Sequence, residues 1–201
     1  MKKITKIFAI ICVTLLAAQV LLVITSWVIT AAQPNIEMRS LLMPEGIRWF
    51  IGNYAGCLAS VIIVWIILLG AAVGIIRYSG FWQSIRDIMH LNVRERLAMR
   101  LVVVELIFFV AAIVLMTCSP HALLLSITGH ISPSSFSTGL IPMIAFIACV
   151  TAASFGLASG RLHTITDVFV AMTRGIAGSA PLLLLYVFAA QLYYSIRYVF
   201  G

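Results

Sequence analysis

The sequence predicts an all-α integral membrane protein that forms a single polytopic membrane domain over residues 1–201. Three observations support this fold class. The chain is 63% hydrophobic and only 9% charged, its mean hydropathy is +1.14, and its charged residues fall between long apolar runs. Because a water-soluble domain needs about a quarter of its residues charged, a soluble fold is excluded.

Five apolar runs are long enough to cross a bilayer, which takes about 20 helical residues. We expect transmembrane helices at about residues 7–32, 50–76, 101–118, 139–159 and 168–197. The first run follows a lysine-rich start and could belong to a secretion signal. It is much longer than the about 7–15 apolar residues of such a signal, which favours a retained span.

Small residues recur at four-residue spacing in the second span, as Gly52, Gly56 and Ser60, and again as Gly70 and Gly74. Such stripes let a second helix approach closely. The pattern fits packing within one chain and packing between two copies, so it leaves the oligomeric state open.

The connector Arg77–Arg100 is the most highly charged connector of the chain. Its apolar and polar residues separate onto opposite faces over Phe81–His90, which predicts an amphipathic helix on the cytoplasmic membrane surface. Glu105 follows just inside the third span. An acid within a span is a candidate ion or proton site. The alternative is a carboxylate near the headgroup boundary that Arg100 or its neighbours neutralise.

The distribution of lysine and arginine predicts the topology. Three segments contain ten of the thirteen basic residues: the N-terminus with three, the Arg77–Arg100 connector with five and the Arg161–Arg174 connector with two. Basic loops stay in the cytoplasm, so we expect an inner-membrane protein with its N-terminus inside and its C-terminus outside. Nucleic acid is not an expected partner, because the net charge of +7 is sorted by loop and not gathered on one face.

The sequence shows no catalytic motif, so we do not expect an enzyme. His121 and His130 lie in the connector after the third span without a nearby carboxylate, and we interpret them as solvated loop residues. No CxxC spacing occurs, which argues against a metal site and against a disulfide framework. We therefore expect no metal and no cofactor. The cysteines read as small buried hydrophobes: Cys12, Cys57, Cys118 and Cys149.

The last span is predicted to be a broken helix. Arg174 lies in its first third, and Gly178, Ser179 and Pro181 follow within two turns. Proline removes a helix hydrogen bond, and transporters place anionic substrates at the ends of such half-helices. The alternative is an arginine at the membrane boundary before Gly175, a glycine that serves packing. The residues alone do not decide between the two.

Three blocks of this sequence resemble the p-aminobenzoyl-glutamate transporter (AbgT) family. They are PEGIRWFIGN (Pro44–Asn53) with LLGAAVGIIRYSG (Leu68–Gly80), SPSSFSTGLIPMIAF (Ser132–Phe146) and DVFVAMTRGIAGSAPLLLLYVFAAQLYY (Asp167–Tyr194). The resemblance implies an ion-gradient-driven carrier of an aminobenzoyl-glutamate or antimetabolite-like anion. It suggests Arg174, Gly178, Ser179, Pro181 and Gln191 as substrate-binding positions.

The sequence departs from the family pattern in the interval after Gly80, where the re-entrant hairpin of the family is absent. We therefore expect a short form without the re-entrant hairpin regions, which would transport as a homo-oligomer or with a second membrane chain. The alternative is a non-transporting scaffold or accessory protein that retains only the scaffold helices of the family.

Overall fold

A computed structural model describes residues 2–33, 38–118 and 135–201. Within these residues the chain is helical and has no strand. The predictions for His121 and His130 concern residues outside the described part. The helices are α1 (Lys2–Ala32), α2 (Pro44–Leu58), α3 (Val61–Tyr78), α4 (Phe81–Arg86), α5 (Val93–Cys118), α6 (Ser135–Ser159) and α7 (Ile165–Phe200), with a 3-10 turn at Ile88–His90.

Five segments of the described helices are long and apolar enough to cross a membrane. They confirm the prediction of an all-α integral membrane protein, because a helix forms its backbone hydrogen bonds within its own segment and can therefore cross the hydrocarbon. The segments are Thr5–Ala32, Val61–Tyr78, Val93–Met116, Gly139–Ser159 and Ile165–Phe200.

The second predicted span, residues 50–76, is divided between two helices. Helix α2 ends at Leu58 and α3 begins at Val61. The Ser60 hydroxyl accepts a hydrogen bond of 3.1 Å from the Ile62 amide, as an N-terminal cap does. This cap stabilises a new helix start, although no charged residue or proline marks it in the sequence. The prediction of one continuous span over residues 50–76 is therefore wrong.

The predicted break near Gly178–Pro181 is also wrong. Helix α7 continues through Pro181 to Phe200, and α6 likewise contains Pro142. A proline removes one backbone hydrogen bond and crowds the preceding turn. Membrane helices tolerate this loss because the surrounding protein and local adjustments of the helix compensate for it.

The predicted amphipathic helix over Phe81–His90 is shorter than expected. It consists of α4 and the 3-10 turn, and Gly80 precedes it in the left-handed region at φ 70°. Trp82 and Met89 are 67% and 90% exposed, whereas Phe81 packs edge-on against Phe155 of α6 at 5.4 Å. The apolar side chains that face outwards agree with a helix on a membrane surface.

The described chain divides into two compact units. The terminal unit comprises the chain up to Val64 together with Ala180–Gly201, and the middle unit comprises Trp65–Ser179. The boundaries lie inside α3 and α7. The single polytopic domain over residues 1–201 stays a prediction.

In the middle unit, α5 and α6 pack along an apolar stripe. Ala98 and Val102 of α5 form a buried cluster with Phe155 of α6. Farther along, Phe109 meets Phe146 edge-on at 6.1 Å. The α5 residue numbers rise as those of α6 fall, so the two helices are antiparallel.

Also in the middle unit, α3 and α7 touch through glycines. A Cβ atom at Gly74 would lie 2.6 Å from the Gly175 Cα and would collide with the Ala171 carbonyl. At Gly70 it would lie 2.6 Å from the Ser179 hydroxyl. This part of the predicted small-residue stripe therefore serves packing within the chain.

In the terminal unit, α1 and α2 each contact α7, the first through a polar group and the second through an aromatic ring. The Gln19 amide of α1 donates to the Ser195 hydroxyl of α7 at 2.8 Å. Trp49 of α2 stacks on Tyr198 of α7 with ring centroids 4.3 Å apart. In contrast, a Cβ atom at Gly52 or Gly56 of α2 would meet nothing within 4 Å.

Candidate functional site

Arg174 occupies an exposed position on α7 within the middle unit. Its guanidinium carbon lies 5.3 Å from the ring centroid of Tyr78 at the end of α3, which is a cation–π distance. The next residue, Gly175, is the point of closest approach between α3 and α7. The backbone that carries Arg174 is therefore fixed by packing.

Within the described residues, the Arg174 guanidinium keeps its hydrogen-bonding edges free of protein partners. Among the described residues, the Tyr78 ring is its recorded contact, with neither an ion pair nor a hydrogen bond. Ring stacking uses the face of a guanidinium and leaves the N–H groups at its edge. Those N–H groups can bind a carboxylate in a bidentate manner.

Gly178 and Ser179 have different surroundings although they are adjacent. Gly178 is exposed, and a Cβ atom there would meet nothing within 4 Å. It lies four residues after Arg174 and hence on the same helix face. Ser179 is buried against Gly70, and its hydroxyl donates to the Ile176 carbonyl at 2.8 Å. The structure therefore brings Arg174 and Gly178 together and assigns Ser179 to packing.

Pro181 and Gln191 belong to the terminal unit. Pro181 is half-buried in the continuous helix. Gln191 is 6% exposed, and in the part of the chain that the structure describes neither its amide oxygen nor its amide nitrogen has a hydrogen-bond partner. One turn later Ser195 accepts from Gln19, whose own amide oxygen is also buried and unpartnered.

A second feature of the middle unit is a cavity of about 790 Å³, which we call the polar pocket. Arg161, from the connector between α6 and α7, donates to the Glu95 carboxylate at 2.7 Å and to the Gln83 amide oxygen at 3.4 Å. Ser84 is 2% exposed, and its hydroxyl has no hydrogen-bond partner. The lining residues are Trp82, Gln83, Ser84, Arg86, Asp87, Leu91, Asn92, Glu95 and Arg161.

A comparison with protein families decides the identity of the chain. The model of the AbgT transporter family matches residues 82–198, which is more than half of the 201 residues. The chain belongs to the AbgT family. A search of curated proteins and a search of solved structures found no match.

AbgT membership confirms the resemblance seen in the sequence. The matched region contains the Asp167–Tyr194 block and all five substrate-binding positions that the resemblance suggested. It also contains the whole polar pocket. The protein is thus a multi-pass membrane protein of a transporter family.

Glu105, the predicted ion or proton site, lies on the α5 stripe that faces α6. It follows Val102 by three residues and precedes Phe109 by four, and both of these contact α6. Glu105 is half-buried, and one of its carboxylate oxygens is fully buried without a hydrogen-bond partner. Within the described chain the recorded ion pair is Arg161–Glu95, so Arg100 does not pair with Glu105.

Sequence reasoning missed the polar pocket and the Gln19–Ser195 contact. Arg161 and Glu95 are 66 residues apart and Gln19 and Ser195 are 176 apart, so no local spacing connects them. The available signal was weaker: Gln19 and Gln191 are amides inside membrane spans, where polar groups form contacts between helices. No group of residues suited to hold a metal ion occurs in the described part of the chain.

Proposed function

We propose that the chain is a secondary transporter, or a subunit of one, for an aminobenzoyl-glutamate or antimetabolite-like anion. Arg174 would bind a substrate carboxylate. The observation that supports this role is its guanidinium, which stacks on Tyr78 and has no described hydrogen-bond partner. Gly178 would leave room for substrate beside it, since a Cβ atom there would meet nothing within 4 Å.

The proposed energy source is an ion gradient coupled through Glu105. A carboxylate within a span is costly unless it binds a proton, a cation or a partner. The buried and unpartnered oxygen of Glu105 supports a site that takes up and releases a proton or cation. Pro181 and Gln191 are proposed substrate-binding positions of the terminal unit, and the buried amide of Gln191 supports its inclusion. Ser179 would position the α3–α7 contact.

We further propose that the protein resides in the inner membrane with a cytoplasmic N-terminus and an external C-terminus, as the basic connectors favour. It would act as a homo-oligomer or with a second membrane chain. The mass and composition of the complex, extracted gently from its native membrane, test this part. A monomer of this chain alone would contradict it.

The role of Arg174 is tested by measuring the flux of labelled p-aminobenzoyl-glutamate into liposomes that contain the purified protein, under an imposed sodium or proton gradient. We expect Arg174→Gln to reduce flux at least about tenfold, because a charge-assisted hydrogen bond contributes about 1.5–3 kcal/mol. Arg174→Lys should retain part of the flux. Arg197→Gln is the matched control, since Arg197 is an exposed arginine on the same helix.

Equal flux through Arg174→Gln and Arg197→Gln would contradict the role of Arg174. A wild-type complex that carries no flux, alone or with the chains that copurify with it, would support the non-transporting scaffold instead. Glu105→Gln separates coupling from binding: it should abolish the dependence on the gradient and preserve substrate exchange. Gradient-driven flux that survives Glu105→Gln would exclude Glu105 as the coupling site.

A further inference from the structure

The polar pocket lies where the spans of the middle unit end. Helix α3 ends at Tyr78, α5 begins at Val93, α6 ends at Ser159 and α7 begins at Ile165. Every lining residue lies between these ends or within the first turn of α5. Because these connectors and the charged start of α5 lie outside the apolar runs, the cavity lies on the membrane-surface side of the hydrocarbon.

The charges of the pocket are only partly used by the protein. Arg161 pairs with Glu95 at 2.7 Å, and the other oxygen of Glu95 accepts from the Asn92 amide at 3.2 Å. These two charges are satisfied. Arg86 and Asp87 are exposed and form no ion pair within the described chain. One cation and one anion, adjacent in sequence, remain available to a ligand.

Ser84 supplies an independent indication of a ligand. Its side chain is 2% exposed, lines the cavity and has no hydrogen-bond partner among the described residues. A buried hydroxyl without a partner destabilises the protein, and a bound acceptor would remove that cost. The volume of about 790 Å³ also lies within the range of about 300–1,000 Å³ typical of small-molecule sites.

The flank of the pocket is apolar. Trp82 at its edge is 67% exposed, and Ile88 and Met89 of the adjoining turn are 57% and 90% exposed. Tryptophan is typical of the headgroup level, and exposed aliphatic side chains beside it can contact acyl chains. A ligand that fits both features has a zwitterionic head and an apolar tail.

We propose that the polar pocket binds the headgroup of a zwitterionic phospholipid with a primary ammonium, such as phosphatidylethanolamine. The phosphate accepts hydrogen bonds from Arg86 and Ser84, and the ammonium donates to Asp87. Trp82 and the exposed side chains of the 3-10 turn contact the glycerol and the first acyl carbons. This site is separate from the proposed transport residues and does not depend on transport.

The test measures lipid affinity by native mass spectrometry of protein in nanodiscs of phosphatidylcholine, with phosphatidylethanolamine or phosphatidylglycerol as guest. We expect phosphatidylethanolamine to bind about fivefold more tightly than phosphatidylcholine, whose quaternary ammonium cannot donate to Asp87. Arg86→Gln should weaken all three lipids about fivefold, the effect of one basic residue at a membrane surface. Asp87→Asn should remove only the preference for phosphatidylethanolamine.

Arg96→Gln is the matched control, because Arg96 is an exposed arginine of α5 that does not line the pocket. A loss of affinity in this variant equal to that in Arg86→Gln would overturn the proposal in favour of non-specific charge attraction. An undiminished preference for phosphatidylethanolamine in Asp87→Asn would overturn it as well.

Two further measurements distinguish the lipid from a soluble ligand and from folding effects. Ser84→Ala should raise the melting temperature in detergent, where no lipid fills the pocket, and weaken lipid binding in nanodiscs. A lower melting temperature there would show that the hydroxyl already has a protein partner, which overturns the proposal. Glycerophosphoethanolamine, the same headgroup without acyl chains, should compete poorly. Competition at the concentration of the intact lipid would assign the pocket to a soluble ligand instead.

Discussion

The two halves of α7 contact their neighbours in different ways. In the middle unit, α7 meets α3 through glycines, and a Cβ atom at Gly74 would lie 2.6 Å from the Gly175 Cα. In the terminal unit, α7 contacts α1 through a hydrogen bond of 2.8 Å between Gln19 and Ser195. The first contact depends on the absence of side-chain atoms and the second on the presence of polar ones.

This difference indicates which substitutions each contact tolerates. Close backbone approach gives van der Waals contacts that any added methyl group disrupts. The polar contact has room for side chains but leaves the Gln191 amide without a partner. The glycine contact should therefore be sensitive to volume, and the polar contact should be sensitive to hydrogen-bonding capacity.

The largest effect is expected from Gly74→Ala. The added methyl group collides with the Ala171 carbonyl and with Gly175, so α3 and α7 must separate. We expect a loss of about 1–3 kcal/mol or more in the free energy of unfolding, measured in detergent. In the control Gly52→Ala the methyl group meets nothing within 4 Å, and the variant should gain about 0.5–1 kcal/mol through helix propensity. Equal effects in the two variants would refute close packing at Gly74.

Two substitutions in the polar contact should have opposite signs. Gln191→Leu removes an amide that has no partner, so stability should rise by about 1 kcal/mol, while transport should fall. Ser195→Ala removes the acceptor of Gln19 and should lower stability by about 0.6 kcal/mol, the average for such bonds in membranes. Thermal unfolding of both variants measures this. Destabilisation by Gln191→Leu would indicate that the amide has a structural partner.

The smallest effect is expected outside the apolar spans, at the ion pair of the polar pocket. The side chains of Arg161 and Glu95 are 34% and 14% exposed, so water and salt screen their attraction. Glu95→Gln should cost less than about 1 kcal/mol, and the difference from wild type should shrink as salt is added. The measurement is the free energy of unfolding of Glu95→Gln and of the control Arg96→Gln, each at low and at high salt. A salt-independent loss would mean that the carboxylate acts mainly by capping α5 at Asn92.

The sequence predicts most of the fold because the length of an apolar run is nearly sufficient to define a span. It predicts the start of α5 less well, because the charged residues 93–100 are already helical, and it misses the α2–α3 boundary because Ala59 and Ser60 interrupt neither hydropathy nor charge. The helix break predicted at Pro181 is wrong because the proline removes only one backbone hydrogen bond. The turns before and after it remain helical. The family block suggested Arg174 and Gln191, but Arg174 stacks on Tyr78, and Ser195, one turn after Gln191, accepts a hydrogen bond from Gln19. Those residues are distant in sequence, so only packing shows them.

Gly80 and Arg161 constrain each other. The turn at Gly80 has φ 70°, and the guanidinium of Arg161 occupies the space that a Cβ atom would take. Any other residue at position 80 must therefore adopt a strained backbone, at about 1–2 kcal/mol, and also displace the arginine that pairs with Glu95. In homologous sequences, we expect a residue other than glycine at position 80 to occur together with a shorter side chain at position 161. This pairing would offer an evolutionary record of the same contact.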